Sequence, residues 1–320
     1  MSTHHHRTGG PSGRSACAMI TPFTADGSLD LDGVQRLATR LVDEDGCDGL
    51  VVNGTSGEAP TTSDAEQEAV VRAVAEAVGD RARITAGVGS NDTRHAVALA
   101  RAAERAGAHA LLVVTPYYSR PPQDAVRAHF RTVADAAGLP VLLYDIPGRT
   151  GTALSCETLL RLAEHPRVAG VKDCAYDLMK SARVLAATDL AYYSGCDEQN
   201  LPLRAIGAAG YISTVSNVAG PQVRAVLDAY DAGDPGTAAR RHLALTPLVD
   251  AMMSDLPGAV TAKALLDALG LPAGPVRAPL LAAGTDTTAG LVDAYKRATT
   301  GPAWDQREPA TANCGCAAPR

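Results

Sequence analysis

Eight short apolar runs, each followed by a stretch of helical length, constrain the fold of this chain more than any other feature. The runs are ACAMITPF, GLVVNG, RITAGVG, ALLVVTP, PVLLYDIP, VAGVKDC, AYYSGCD and GYISTVSN. They are apolar at consecutive positions, as strands buried on both faces are, whereas strands with one wet face alternate. The intervening segments, near 31–45, 64–78, 92–106, 122–137, 155–164, 177–187 and 198–206, carry helical periodicity. In the fourth, Ala125, Phe130, Val133 and Ala137 recur among polar residues. Eight strand–helix units over roughly 220 residues match a (β/α)8 TIM barrel in number and size. A doubly wound sheet would place a Gly-rich phosphate turn after an early strand, and GVGSND (87–92) lacks the GxGxxG spacing.

After Asn217 only helical patterns remain, near 220–232, 235–253, 258–269 and 285–298. The first closes the eighth unit, and the others form a C-terminal helical appendage. The expected organisation is a disordered lead over 1–14, a barrel over 15–232, a helical region over 233–298 and a disordered tail over 299–320.

Composition narrows the function classes. The net charge of −6 gives no reason to expect nucleic acid or an anionic membrane surface as partner. No apolar run has the roughly 20 residues that span a bilayer. The first residues lack a signal-peptide core, so a cytoplasmic address is expected. Seven scattered cysteines do not form a secreted disulfide framework, and Cys47, Cys156, Cys174 and Cys196 read as reduced thiols. His4, His5, His6, Cys314 and Cys316 lie in the two tails and form no complete metal site; no metal and no cofactor are expected.

In a barrel of this kind, chemistry sits where strands end at their C-termini. Lys172 stands out there, an amine inside VAGVKDC. Burial without a partner removes the proton from an ammonium, and a neutral amine forms a Schiff base with a carbonyl. A lysine paired with neighbouring Asp173 is the structural alternative. Other strand ends add Thr55 and Ser56, Tyr117 and Tyr118, Tyr144 and Arg149, Ser194 and Gly195, and Ile212. Singly these suit turns, packed aromatics and solvated charge. Together they offer hydroxyls for proton transfer and a planar cation for a carboxylate, which fits a carbonyl substrate bearing carboxylates.

The motifs GTSGE (54–58), TPYYSRPP (115–122), YDIPGRTG (144–151), GVKD (170–173), YSG (193–195) and GYIS (210–213) resemble those of one family. It is the dihydrodipicolinate synthase and N-acetylneuraminate lyase family of class I pyruvate aldolases, and the likeness runs from about Ala16 to Lys296. The resemblance implies that Lys172 forms the imine with pyruvate while Tyr144 moves protons at it. Thr55 would connect Tyr144 to Tyr118, which would cross a dimer interface in a homotetramer. The amides of Thr55 and Ser56 would hold the pyruvate carboxylate, near Gly195 and the Ile212 carbonyl, and Arg149 would bind the second substrate. That substrate is implied to be L-aspartate 4-semialdehyde and the product 4-hydroxy-tetrahydrodipicolinate, on the route to lysine and diaminopimelate. Arg149 favours this branch over the sialic acid lyases. Another 2-oxo-acid aldolase or dehydratase with a different aldehyde is the alternative, and a non-catalytic 2-oxo-acid-binding scaffold the second.

Three positions depart from the family pattern. Ser56 replaces a usual threonine, Cys174 follows Lys172 by two residues, and Cys196 stands where an acidic residue is more common. A regulatory lysine pocket would keep Asn91 and Tyr117 but hold Asp64, Gln67 and His95 elsewhere, so weak or absent inhibition by L-lysine is expected.

Overall fold

In a computed structural model, which describes residues 10–304, eight parallel strands close into a barrel in sequence order. The strands are β1 (Ser15–Ala18), β2 (Gly49–Val52), β3 (Arg83–Gly87), β4 (Ala110–Val114), β5 (Val141–Asp145), β6 (Val168–Asp173), β7 (Ala191–Ser194) and β8 (Gly210–Ser213). Pairing of Ser15 with Tyr211 and Ala16 with Ile212 joins the last strand to the first. The helices between strands are α1 (Leu31–Thr39), α2 (Asp64–Val78), α3 (Thr93–Arg105), α4 (Gln123–Ala136), a single turn α5 (Pro147–Thr150), α6 (Cys156–Ala163), α7 (Leu178–Ala187) and α8 (Asn200–Ala205). Then come α9 (Ser216–Asp231), α10 (Pro235–Met253), α11 (Gly258–Ala268) and α12 (Thr285–Thr299).

The consecutive apolar positions have a simple cause. Along a strand, alternate side chains point to opposite faces. Val51, Leu112, Leu142 and Tyr193 pack inside the barrel. Their neighbours Leu50, Leu111, Leu143 and Tyr192 pack outward, in the larger core beneath the helices. Side-chain caps fix where the helices begin: Ser63 and Glu66 form a reciprocal capping box on α2, and Ser155 and Asp177 accept from the first turns of α6 and α7.

Two boundaries differ from the sequence expectation. Residues 10–14 are no loose lead: Gly10 and Gly13 form a β-bridge, and buried Ser12 bonds Thr85 Oγ1 at 2.7 Å. The Ser12 amide also donates to the Tyr193 hydroxyl at 3.2 Å. Arg14 forms ion pairs with Asp228 and Asp231 of α9. Small polar residues there bind polar groups of the inward-facing strand side chains, a role that short-range pattern does not reveal. At the other end, α12 runs to Thr299, and Trp304 packs on the main core. The tail histidines, Cys314 and Cys316 lie outside the described residues. Among the described residues, no helix is long and apolar enough to cross a membrane.

Candidate active site

The register of β5 and β6 sets Tyr144 directly beside Lys172. Both are buried and point inward, and the Lys172 ammonium nitrogen lies 4.5 Å from the centre of the Tyr144 ring. The turn after β2 brings Thr55 over the same point, with its Oγ1 3.5 Å from the Tyr144 hydroxyl. Ser56 sits beside it, its Oγ 3.0 Å from Thr214 Oγ1 on the loop after β8. These groups face a cavity of about 800 Å³ whose wall includes Thr55, Ser56, Tyr144, Arg149, Lys172 and Gly195.

Gly195 serves by having no side chain. A Cβ there would lie 2.8 Å from Lys172 Cε and 2.4 Å from Cys174 Sγ. Any other residue would force Cys174 or the Lys172 chain to shift, so the glycine of YSG keeps room for both.

Burial shifts Lys172 and Tyr144 toward their neutral forms. Burial lowers the pKa of Lys172 from its ordinary value, although the nearby thiols Cys174 and Cys196 oppose this. Among the described residues, Lys172 forms no ion pair, and the alternative of an Asp173 partner fails on geometry. Strand alternation sends Asp173 to the opposite face, where its carboxylate accepts from Tyr192 at 2.5 Å and Ser181 at 2.7 Å. Burial raises the Tyr144 pKa well above its ordinary value, Cys174 adds to this, and the Thr55 hydrogen bond and Arg149 act against it. A phenol that keeps its proton, beside an amine that gives its proton up more readily than usual, can donate to an adduct of that amine and take a proton back afterwards.

Two of the expected residues do not line this cavity. Tyr118 is 90% exposed and holds a positive φ of 70°. Ile212 is fully buried in the barrel interior with its side chain. Arg149 sits on α5, immediately after β5, exposed at the cavity mouth. Further non-glycine residues with positive φ, Asn53, Glu58 and Tyr176, also border the cavity. Such conformations cost energy and are held only where surrounding contacts fix them.

The sequence reading missed the walls supplied by the appendage. Met253, Pro257, Gly258 and Ala259, which join α10 to α11, line the cavity, as do Pro279 and Leu280. It also missed a buried ion pair that fastens the GTSGE turn: Glu58 Oε1 lies 2.6 Å from Lys263 Nζ of α11. The Arg277 amide donates to Glu58 Oε2 at 2.8 Å. One signal was available. Lys263 is the single charge among the first nine residues of α11, GAVTAKALL, where Thr261 is the one other polar side chain.

With this geometry in place, comparison with known proteins becomes decisive. The dihydrodipicolinate synthetase family model matches residues 11–298. The chain belongs to that family. Among its members, 4-hydroxy-tetrahydrodipicolinate synthase 1 of Streptomyces coelicolor is 68% identical over 286 residues, covering 89% of this chain and 93% of the relative. The dihydrodipicolinate synthase of Cyanidioschyzon merolae, solved with lysine bound, superposes with a TM-score of 0.87 at 37% identity, over 90% of this chain and 99% of that one. The chloride-inhibited dihydrodipicolinate synthase of Acinetobacter baumannii, solved with pyruvate, gives a TM-score of 0.84 at 34% identity, over 89% and 98%. The (β/α)8 barrel is the fold of this dihydrodipicolinate synthetase family chain.

Proposed function

We propose that this chain is a lyase that condenses pyruvate with L-aspartate 4-semialdehyde to 4-hydroxy-tetrahydrodipicolinate, in lysine and diaminopimelate biosynthesis. The observation that carries the reading is Lys172, buried without an ion pair, open to the cavity and beside the Tyr144 ring at 4.5 Å. The identity of 68% to a relative named for this activity supports the substrate pair.

The neutral Lys172 amine adds to the pyruvate carbonyl, and the tetrahedral adduct loses water to give an iminium. Tyr144 supplies the proton that lets hydroxide leave and accepts one when the methyl carbon gives up its hydrogen to form the enamine. Thr55, within 3.5 Å of the Tyr144 hydroxyl, is the next group in that proton path. The enamine carbon attacks the aldehyde carbon of the semialdehyde, forming the new carbon–carbon bond. The amine of that substrate then displaces Lys172 from the imine carbon, which closes the ring and restores the free lysine. In this reading the amides of Thr55 and Ser56 hold the pyruvate carboxylate, and Arg149 at the mouth binds the carboxylate of the semialdehyde.

The exposure of Tyr118 is consistent with its insertion into a neighbouring copy's site, within a homotetramer built from dimers. A cytoplasmic location accords with a metabolic reaction of free pyruvate. Borohydride added with pyruvate should leave one covalent adduct on Lys172; an unmodified Lys172 in folded protein would overturn the imine chemistry. Arg149→Ala should raise the KM for semialdehyde and leave that for pyruvate nearly unchanged. An equal rise in both would remove Arg149 from the clamp.

A further inference from the structure

Cys174 and Cys196 both line the catalytic cavity, and neither has a part in the chemistry described above. Cys174 lies just past the end of β6, two residues after Lys172 and on the same face. Cys196 lies just past the end of the adjacent strand β7, where Asp173 pairs with Ser194. The Gly195 amide continues that ladder by donating to the Asp173 carbonyl at 2.9 Å. Cys196 is therefore the diagonal neighbour of Cys174 across adjoining strand ends. Between them stands Gly195, whose missing Cβ leaves room for the Cys174 sulfur, as its 2.4 Å virtual contact shows. The two thiols are near enough for each to influence the protonation of the other.

Their surroundings differ from those of the other buried thiols. Cys17 and Cys47 belong to the large apolar core, and burial pushes both well up, Cys47 to about 12. Cys174 moves the other way: the hydrogen bond from Cys196 and the nearby Lys172 charge lower it against its burial. Thiolate character, a charged neighbour and an open approach are the conditions for a reactive cysteine. Cys196 moves up, first through its interaction with Cys174 and then through burial. Cys196 shares the cavity wall with Tyr176, whose hydroxyl donates to Glu198 at 2.6 Å.

We propose that Cys174 and Cys196 form a dithiol modification site in the cavity wall, which a small hydroperoxide converts to a disulfide that disables the Lys172 site. The Cys174 thiolate attacks one peroxide oxygen, the O–O bond breaks, and the leaving oxygen takes a proton to become water or an alcohol. Cys174 is then a sulfenic acid. The Cys196 sulfur attacks the Cys174 sulfur, forming the S–S bond and breaking S–O. The expelled hydroxide takes the Cys196 proton as water. Two thiols are oxidised by two electrons, and one peroxide is reduced.

Bridging holds the two sulfurs about 2.05 Å apart. The bridge alters the wall beside the Lys172 chain and replaces two thiols that line the cavity with Tyr144 and Tyr176. A misplacement of about 1 Å in a site built for one geometry costs about tenfold or more in rate. The disabling effect rests on the imine reading of the preceding subsection; the thiol chemistry does not.

The test treats the full chain with hydrogen peroxide, blocks residual thiols with an alkylating agent and maps peptides without reduction. The expected result is one cross-linked peptide pair, Cys174 with Cys196, lighter by two hydrogens than the separate thiol peptides and restored by dithiothreitol. Borohydride trapping with pyruvate should fall about tenfold in the oxidised protein and recover with reduction. Cys196→Ala and Cys174→Ala, each compared with its own untreated sample, should lose this reversible component. Recovery of the two cysteines as separate thiols or sulfinic acids, or pairing of Cys17 with Cys47 instead, overturns the site. A mapped disulfide with undiminished trapping overturns the disabling effect. Absence of trapping in the untreated protein would count against the imine reading, and the peptide map would still decide the dithiol.

Discussion

Lys172 and Lys263 are both buried amines, one at the floor of the cavity and one in the packed shell that supports it. Burial lowers the pKa of both, that of Lys263 to about 8 even though Glu58 counteracts the shift. Lys263 has its anion at 2.6 Å, the Pro275 carbonyl at 2.8 Å and the Phe23 ring at 3.9 Å. Lys172 has a phenol ring, a glycine and open volume. The contrast teaches that burial alone does not make a lysine reactive. The amine also needs freedom from a fixed anion and room for the carbon it will attack. Lys180 repeats the lesson, since its amine is held by Asp145 at 2.7 Å and the Leu154 carbonyl at 3.3 Å.

Exchanging the two roles by mutation should give the largest effects. Lys172→Met removes the nucleophile, so activity and borohydride trapping should fall by several orders of magnitude while the denaturation midpoint hardly moves. Glu58→Gln should do the reverse. It leaves the Lys263 charge without its anion, at a cost of about 3–5 kcal/mol measured by denaturant unfolding, yet Lys172 in the folded fraction should still be trapped. Trapping at Lys263 in either variant would erase the distinction.

Tyr144→Phe tests the floor more finely. It keeps the ring beside the amine and removes the proton relay, so kcat should drop by about 10²–10⁴-fold with a smaller change in the KM for pyruvate. Unchanged kcat would assign the proton transfers elsewhere.

The pH dependence separates the two lysines again. Between about 8 and 10.5 the unfolded chain keeps the Lys263 proton that the folded chain has released. The unfolded state then binds more protons, so the Lys263 contribution to stability rises with pH across that window. The Glu58→Gln/Lys263→Met double variant should show a flatter profile in urea unfolding between pH 8 and 10. For Lys172, kcat/KM for pyruvate should rise with pH as the amine deprotonates and level off below the ordinary lysine value of 10.5. A rise that continues to 10.5 would mean an unshifted amine.

The smallest expected effect concerns inhibition. Asp64 is engaged by His95 at 2.9 Å, and the Gln67 amide donates to the Ala59 carbonyl at 3.1 Å. With these groups already partnered, millimolar L-lysine should lower the initial rate only slightly; strong inhibition would refute this.

Much of the floor was legible in the sequence because barrel chemistry depends on strand ends. Once VAGVKDC and PVLLYDIP are read as neighbouring strands, alternation sends Lys172 and Tyr144 inward and Asp173 outward. The glycine of YSG was visible as a motif, but its function as space for Lys172 emerged only in three dimensions. The shell was far less legible. Glu58 and Lys263 are separated by most of the chain, and neither carries a local pattern that names the other. The lead over 10–14 reads as loose because Gly and Ser favour irregular chain, and a buried Ser12 depends on Thr85 and Tyr193 being present to receive it.

By itself the sequence determined the number of strands, their two-sided burial, the family and the amine that faces the cavity. These follow from periodicity and from motifs whose residues act within a few positions of each other. Tertiary structure alone decided which buried amine is held by an anion and which is left free. It also decided that the C-terminal appendage walls the cavity and that Cys174 and Cys196 meet across Gly195. The reason is physical: partnership and open volume are properties of what surrounds a side chain, and those surroundings come from distant segments brought together by the closed barrel.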